Sequence, residues 1–452
     1  MKIRNIILLL GDLITMYMAL ILALIARHGF SSALENIPSH IVPFTLLFLA
    51  WLVVLYINDF YSRRRLRVDL AFIRSVFNAT LANLGIAVAF FYLIGPTIGI
   101  TPKTNLFLVT AFSVGLFILW RRVISGMLVS DRGRKSVLFL EPDQLGETLI
   151  HQMFADTAMP YRTEGVVRVS GDTMNLPTGL VVHSELHEAE RVIGDRGIET
   201  VVVGGASFGD LHRQLYRLTL SGAVVVDTAT FWEDLNREIP IFVIDTAWLV
   251  RNFGDMHKRQ FEIVKRTRDF VCALILGTVL SGVLILTAIA VKISSSGSVF
   301  YRQIRVGKDG RHFTLVKFRT MREDAEKNGP QWSVKGDQRV TKIGRFLRHT
   351  HLDELPQLWN IIKGDMSFVG PRPERPEFVG QLEERVPYYS LRHLVRPGVS
   401  GWAQINYSYG ASVQDSAKKL AYDLYYIKHR GHLLDVKIGL KTLAMVFRGE
   451  GR

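Results

Sequence analysis

Phe270-Val271-Cys272-Ala273-Leu274-Ile275-Leu276-Gly277-Thr278-Val279-Leu280-Ser281-Gly282-Val283-Leu284-Ile285-Leu286-Thr287-Ala288-Ile289-Ala290-Val291 is the stretch on which the architecture turns. It is about as long as the ~20 residues needed to cross a ~30 Å hydrocarbon core. Lys265-Arg266-Thr267-Arg268 precedes it, and Lys292, Arg302, Arg305 and Lys308 follow. Basic flanks prefer the cytoplasmic face, and here both flanks are basic. A full crossing would also carry everything after Val291 to the far side. Gly277 and Ser281-Gly282 can loosen or kink a helix near its middle. The pattern therefore predicts a re-entrant helix over 268–292 that dips into one leaflet and returns, with an ordinary fifth span as the other reading.

Working toward the N-terminus, four more apolar stretches occupy the first quarter: Ile6–Ala26, Ile41–Ile57, Thr80–Ile98 and Leu106–Trp120. Each is near the length of a membrane span, and the first lacks a small-residue cleavage site, so it reads as a retained helix. Arg63-Arg64-Arg65-Leu66-Arg67 lies between the second and third, and Arg121, Arg122, Arg132, Arg134 and Lys135 follow the fourth. The loops 27–40 and 99–105 are poor in Lys and Arg, which puts both ends of this bundle in the cytoplasm. Asp12 lies inside the first span, where a carboxylate is a functional suspect by default; near a helix end a hydrogen-bonded packing role has at least equal weight, and Asp12 is kept out of the site.

The whole chain of 452 residues is 48% apolar with a formal net charge of +14. That excludes a disordered chain and suits nucleic acid, an anionic membrane face or a phosphorylated substrate. The only cysteine is Cys272. Intrachain disulfides and a Cys-rich metal site are thereby excluded. From Ser136 to Thr246, short apolar runs (Val137–Leu140, Thr200–Val203, Gly222–Val226, Ile241–Ile244) alternate with polar stretches. This alternation predicts a parallel-sheet, Rossmann-like α/β module. Its first strand runs into Glu141-Pro142-Asp143-Gln144-Leu145-Gly146, without the glycines that let a backbone approach a pyrophosphate, and Gly204-Gly205 does not replace them. A structural or regulatory module is the expectation.

After Val299 the chain is basic and dense in marked residues. Phe313–Phe318 reads as a strand ending in Lys317-Phe318-Arg319, and Asp353-Glu354 stands just before Pro356. Adjacent carboxylates both ionise comfortably only beside a cation. Mg²⁺ takes one or two protein carboxylates and fills its shell with water and phosphate oxygens. Pro356 fits a first helical turn or its entry, and a carboxylate held there can attack phosphorus. Pro371-Arg372-Pro373 fixes the backbone on both sides of one guanidinium, a rigid mount for phosphate. Lys317, Arg319, Arg345 and Arg348 add cations. The combination points to phosphoryl transfer between a nucleotide-activated group and a lipid phosphate.

These residues carry a resemblance. Phe300-Tyr301-Arg302-Gln303, Lys317–Met321, Leu352–Trp359, Gly364-Asp365-Met366-Ser367, Gly370–Pro373 and Pro397–Asn406 occur in the order found in the bacterial sugar transferases, the monotopic polyprenyl-phosphate hexose-1-phosphate (phosphoglycosyl) transferases. With its four spans and sheet module the chain is similar to the long exopolysaccharide and O-antigen initiating members. Asn406-Tyr407-Ser408-Tyr409-Gly410-Ala411-Ser412 looks most like the exopolysaccharide subgroup. The resemblance implies a four-helix transmembrane bundle at 1–128, a cytoplasmic α/β module at 134–250, and an α+β catalytic domain at 262–452. It implies an enzyme of the bacterial inner membrane whose catalytic domain faces the cytoplasm.

The implied reaction moves a sugar-1-phosphate from a UDP-sugar to undecaprenyl phosphate, releasing UMP through an aspartyl phospho-sugar on Asp353. Glu354 would help hold Mg²⁺ together with Asp353 and assist proton transfer. Arg372 would bind phosphate or nucleotide, supported by Lys317 and Arg319, with Pro371, Pro373 and Gln404 in the substrate site. The lipid bilayer is a partner, nucleic acid is not, and a homodimer is compatible with a soluble module hung from a bundle. The family's Ser-Pro helix break stands here as Ser281-Gly282, and its Asp-Ser-Pro-Gly-Pro as Ser294-Ser295-Ser296-Gly297-Ser298. Proline forces a bend where glycine only permits it. Two other readings compete. A nucleotide-sugar oxidoreductase lacks its glycine fingerprint, and a non-catalytic membrane scaffold leaves the carboxylates and Arg372 without a role.

Overall fold

A computed structural model describes residues 3–61, 68–93, 103–128, 134–156, 159–168, 174–204, 212–220, 222–253, 258–294, 296–322, 338–407 and 412–447. They form two units, 1–228 and 229–452.

The first unit opens with α1 (Ile3–His28), α2 (Phe30–Ile57), α3 (Leu70–Leu93) and α4 (Lys103–Leu128). All four are long and apolar enough to cross a membrane. Their inner faces interlock through Phe44, Phe48, Trp51, Phe60, Phe72 and Phe117, while Leu10, Ile14, Leu46 and Phe77 point outward. Helices apolar on both the packed and the outer side belong in lipid. The expected loop 27–40 is mostly helical: Gly29, at φ 77°, makes the turn, and α2 starts at the next residue. Arg121 corrects the charge reading. It is fully buried in the bundle, where its Nη2 meets Asp12 Oδ2 at 2.5 Å and its Nη1 donates to Phe60 O at 2.9 Å. It is therefore no loop cation, and Asp12 has the packing role expected of it. Arg63–Arg67 and Arg132 lie outside the described residues.

The same unit carries a five-stranded sheet of β1 (Lys135–Leu140), β2 (Tyr161–Val167), β3 (Val182–His183), β4 (Thr200–Val203) and β5 (Val224–Asp227), in the order β3-β2-β1-β4-β5. Every pairing is parallel. β4 is buried along its whole length, as the continuous Thr-Val-Val-Val run requires of a strand covered on both faces. α5 (Gln144–Ala155) follows β1 and is capped by Asp143, whose side chain accepts from Gly146 N at 2.8 Å. At the point where strand order reverses, a Cβ on Gly204 would lie 1.9 Å from Glu141 O. The ends of β1 and β4 thus meet backbone to backbone there.

The second unit begins in α8 (Thr228–Asn236), following α6 (Leu186–Arg196) and α7 (His212–Leu220) of the first. The reading above carries the middle module to 250, but 229–253 packs into the C-terminal core. Ile239 N donates to Ala421 O at 3.0 Å, Trp402 Nε1 donates to Arg237 O at 2.9 Å, and Ile244 and Trp248 of this segment are buried with Leu420 and Leu424. Ile241–Ile244 is correspondingly not a strand. Ile241–Val243 forms a 3-10 turn after Pro240, ahead of α9 (Thr246–Phe253). Pro240 cannot donate to a ladder, and these apolar side chains are claimed by the C-terminal core instead.

The decisive apolar stretch forms α10 (Arg259–Val279) and α11 (Ser281–Ser294), bent by 65° at a one-residue break. Leu280 N still donates to Leu276 O, and Leu284 N to Leu280 O, both at 2.9 Å. The bend is thus confined to Leu280 and the Ser281-Gly282 that follows. Both arms return to the same unit: Ala273 of α10 packs with Leu358, Ile361 and Met366, and Val291 of α11 with Phe318 and Leu347. The polar root of α10 is locked by charge. Lys265 Nζ donates to Asp435 Oδ2 at 2.7 Å and Val369 O at 2.9 Å, Arg268 Nη2 reaches Asp435 Oδ2 at 2.6 Å, and Ser367 Oγ donates to Asp269 Oδ2 at 2.6 Å.

The rest of the unit comprises a hairpin, β6 (Phe300–Val306) and β7 (His312–Phe318), then α12 (Lys342–Thr350), α13 (Gln357–Lys363), β8 (Ser367–Val369), α14 (Pro376–Arg385), β9 (Gly398–Ser400), α15 (Trp402–Asn406), α16 (Val413–His429) and α17 (His432–Phe447). β8 and β9 pair in parallel.

Candidate functional site

Asp353 and Glu354 lie in a 3-10 turn, Leu352–Glu354, between α12 and α13. His351 ends α12 in the left-handed region at φ 56°, which breaks the helix and starts the turn. Pro356, at φ −62°, immediately precedes α13, the helix entry expected of it. The turn is fixed from behind by Asn360 of α13. Its Nδ2 donates to Thr314 O at 2.7 Å and its Oδ1 accepts from Val316 N at 3.1 Å, so one buried amide welds α13 to β7. At the other end of α13, Arg266 of α10 donates to Ile361 O and Ile362 O. A guanidinium suits the partial negative charge of a helix C-terminus.

Arg372 is brought to this turn from a distant loop: its Nη2 donates to Glu354 Oε1 at 2.7 Å. Asp353, by contrast, has no hydrogen bond or ion pair among the described residues, although it is only 8% exposed. Burial pushes its carboxyl up to about 6, with Glu354 adding to the rise and Lys317, Arg348 and Arg372 opposing it. Lys317, at the end of β7, sits opposite Tyr301 in the hairpin register with its Nζ 5.0 Å from that ring's centre. Burial brings it down to about 8 against the pull of Asp353. Glu354 holds Arg372 above the ordinary arginine value. Arg348 is tied to Thr320 Oγ1 at 2.9 Å, which anchors α12 to the end of β7.

The remaining expected residues divide. Pro371 and Pro373 flank Arg372 directly after β8, where a Cβ on Gly370 would lie 2.4 Å from Arg396 O. Only glycine allows that approach. Arg319 is buried just past β7, its N donating to Val299 O at 3.0 Å. Arg345 is exposed on α12, an ordinary surface charge. Gln404 lies in α15 with its Nε2 donating to Val399 O at 3.2 Å; among the described contacts none joins it to the Asp353 turn. Sequence reasoning passed over Asn360, Arg392 and Asp423. Asn360 had a local signal, an amide standing between Leu358 and Ile361 on the buried side of a short helix. Arg392 and Asp423 meet at 2.9 Å across 31 residues of chain, and no local pattern announces such a pair.

No group of three or more His, Cys, Asp or Glu side chains able to hold a metal occurs among the described residues. The Asp353-Glu354 donor set nonetheless fits a hard cation of the Mg²⁺ kind, which needs one or two protein carboxylates when phosphate and water supply the rest.

Residues 260–449 match the model of a family described as bacterial sugar transferase. The uncharacterized sugar transferase EpsL of Bacillus subtilis is 38% identical over 189 residues, a match covering 42% of this chain and 90% of that protein. The chain belongs to the bacterial sugar transferase family. As a member of that family it is also similar to the UDP-N-acetylgalactosamine-undecaprenyl-phosphate N-acetylgalactosaminephosphotransferase of Aeromonas hydrophila, 43% identical over 42% of this chain and 45% of that protein. The UDP-glucose:undecaprenyl-phosphate glucose-1-phosphate transferase of Escherichia coli is 37% identical over 54% of this chain and 52% of that protein. The chain thus spans about half the length of these two relatives. The family match starts at the root of α10 and takes in Lys317, the Asp353 turn and Arg372.

Proposed function

We propose that this chain transfers a sugar-1-phosphate from a UDP-sugar to undecaprenyl phosphate. Asp353 Oδ attacks the β-phosphorus, and the bond from that phosphorus to the bridging oxygen breaks. UMP leaves with that oxygen, and the sugar phosphate is held on Asp353. An oxygen of undecaprenyl phosphate then attacks the same phosphorus and displaces the carboxylate, giving a polyprenyl diphosphate sugar. One observation carries this reading: of two adjacent carboxylates, Glu354 is held by Arg372 while the buried Asp353 has no hydrogen bond or ion pair among the described residues. A nucleophile must keep its lone pairs available, and a carboxylate in a dry site attacks better than a hydrated one.

Arg372 and Lys317 would hold the donor's phosphates, since both lie around the carboxylate that attacks them. Glu354, next in the chain, would accept the proton of the incoming phosphate. A Mg²⁺ ion held by Asp353 and Glu354 would neutralise the negative oxygens gathered around phosphorus. Relatives named for glucose and for N-acetylgalactosamine support a UDP-sugar donor and an undecaprenyl phosphate acceptor.

α10 and α11 support the membrane placement. From Phe270 to Val279 the apolar part of α10 rises ~15 Å, half of a ~30 Å core. The 65° bend and the return of both arms to one unit support a re-entrant hairpin in one leaflet. Arg266 and Arg268 before it and Lys292 and Arg302 after it support a cytoplasmic face of the inner membrane.

The test is UMP release by the full chain in nanodiscs containing undecaprenyl phosphate, across a panel of UDP-glucose, UDP-galactose and UDP-N-acetylgalactosamine with Mg²⁺. At least one donor should turn over. With acceptor omitted, mass spectrometry should find a phospho-sugar on Asp353. UMP release without any adduct would remove the covalent step, and no UMP from any donor would remove the reaction.

A further inference from the structure

The loop that presents Arg372 contains two prolines, which donate no backbone hydrogen bond, so it is short of donors and its carbonyls carry much of its attachment. Four consecutive carbonyls are gripped. Pro371 O accepts from Gly398 N at 2.9 Å, Arg372 O from Arg392 Nη2 at 3.0 Å, Pro373 O from Arg305 Nη1 at 2.9 Å, and Glu374 O from Val306 N at 2.9 Å. The grip on Arg372 itself is the costliest. Arg392 is 7% exposed, and its charge is met by Asp423, 1% exposed, and by the hydroxyl of Tyr389. Burying such a pair seldom stabilises a fold more than apolar residues of the same size would. Its directional property is different: a guanidinium held in place by a carboxylate and a phenol presents its remaining N–H groups along fixed directions.

We propose that Arg392, Asp423 and Tyr389 form a positioning clamp that sets the Arg372 guanidinium against Glu354 and the donor's phosphates. The clamp touches no substrate and acts only through the backbone of Arg372. It spans the 3-10 turn Tyr389–Leu394, α16 and the proline loop, three separate segments of the chain. The inference rests on the phosphate-binding role proposed above for Arg372.

A double-mutant cycle on the full chain in nanodiscs tests it, reading kcat/KM for UMP release with whichever UDP-sugar of the panel turns over. Arg392→Lys should lower kcat/KM about tenfold in the wild-type background and less than about twofold in an Arg372→Lys background, because residues acting through one another are not additive. Should Arg392→Lys fail to fold, Tyr389→Phe, which removes one hydroxyl, should cost about threefold beside Arg372 and nothing beside Lys at 372. The same fold-loss in both backgrounds, or no loss in either, overturns the clamp while leaving the proposed reaction standing. If Arg372→Lys alone leaves kcat/KM unchanged, the phosphate role of Arg372 falls and takes the clamp with it.

Discussion

Asp435 and Asp353 are both buried carboxylates of the second unit, 3% and 8% exposed, yet their surroundings are opposite. Asp435 receives Lys265, Arg268 and Tyr426, and its oxygens are saturated with donors. Asp353 has cations around it and none bonded to it among the described residues. The first arrangement fastens the root of α10 to α17 and β8. The second leaves a carboxylate desolvated and raised in pKa, a state that costs stability and is useful only if something else is to bind or react there. Saturation thus separates the acid that fastens the fold from the acid proposed to react.

The sharpest break of that comparison is Asp353→Asn. UMP release should fall at least about a thousandfold, ~4 kcal/mol in the barrier. Stability should move the other way. An acid whose folded pKa lies above its unfolded value disfavours folding once ionised, so the cost is present above pH 6 and absent below pH 4. Thermal unfolding at pH 8 should therefore show an unchanged or higher midpoint for the Asn variant; a clearly lower one would make Asp353 a structural residue.

Asp435→Asn should do the reverse. It removes the carboxylate that Lys265 and Arg268 share, leaving Asp269, 3.7 Å from Arg268, as the remaining counter-charge, and should lower stability by about 3 kcal/mol. Denaturant unfolding in detergent measures it, and a neutral result would mean that the root of α10 is held by its apolar contacts alone.

The smallest effect is in pH. Asp353 must be ionised to attack, and its carboxyl sits near 6; Lys317 must be charged to hold phosphate, and it sits near 8. The kcat/KM profile should climb tenfold per unit, ~1.4 kcal/mol, up to about pH 6, stay level, and fall above about 8. Lys317→Arg should push the alkaline limb upward and leave the acid limb in place. An alkaline limb that does not move assigns it to another group.

Much of this was legible in the chain. Apolar length alone located α1 to α4, and Thr200–Val203 announced a strand covered on both faces. Lys317, Asp353 and Arg372 stood out because acids, cations and prolines cluster there, and the fold does bring them together. Among the described residues the Gln404 amide donates to Val399 O, and no described hydrogen bond joins it to the Asp353 turn. Ile241–Ile244 had the pattern of a strand and became a 3-10 turn, because a neighbouring core claimed its side chains. Arg121 read as a loop cation until its partner, Asp12, was seen on another helix.

Composition and spacing by themselves determined which segments avoid water and which residues can handle phosphate, because both follow from side-chain chemistry and from periods of a few residues. Only the tertiary structure decided which acid makes no hydrogen bond among the described residues of its turn, how far the helix pair bends, and which arginine holds the backbone of another. Those outcomes depend on groups that meet across tens to more than a hundred residues of chain, where no local pattern carries the pairing.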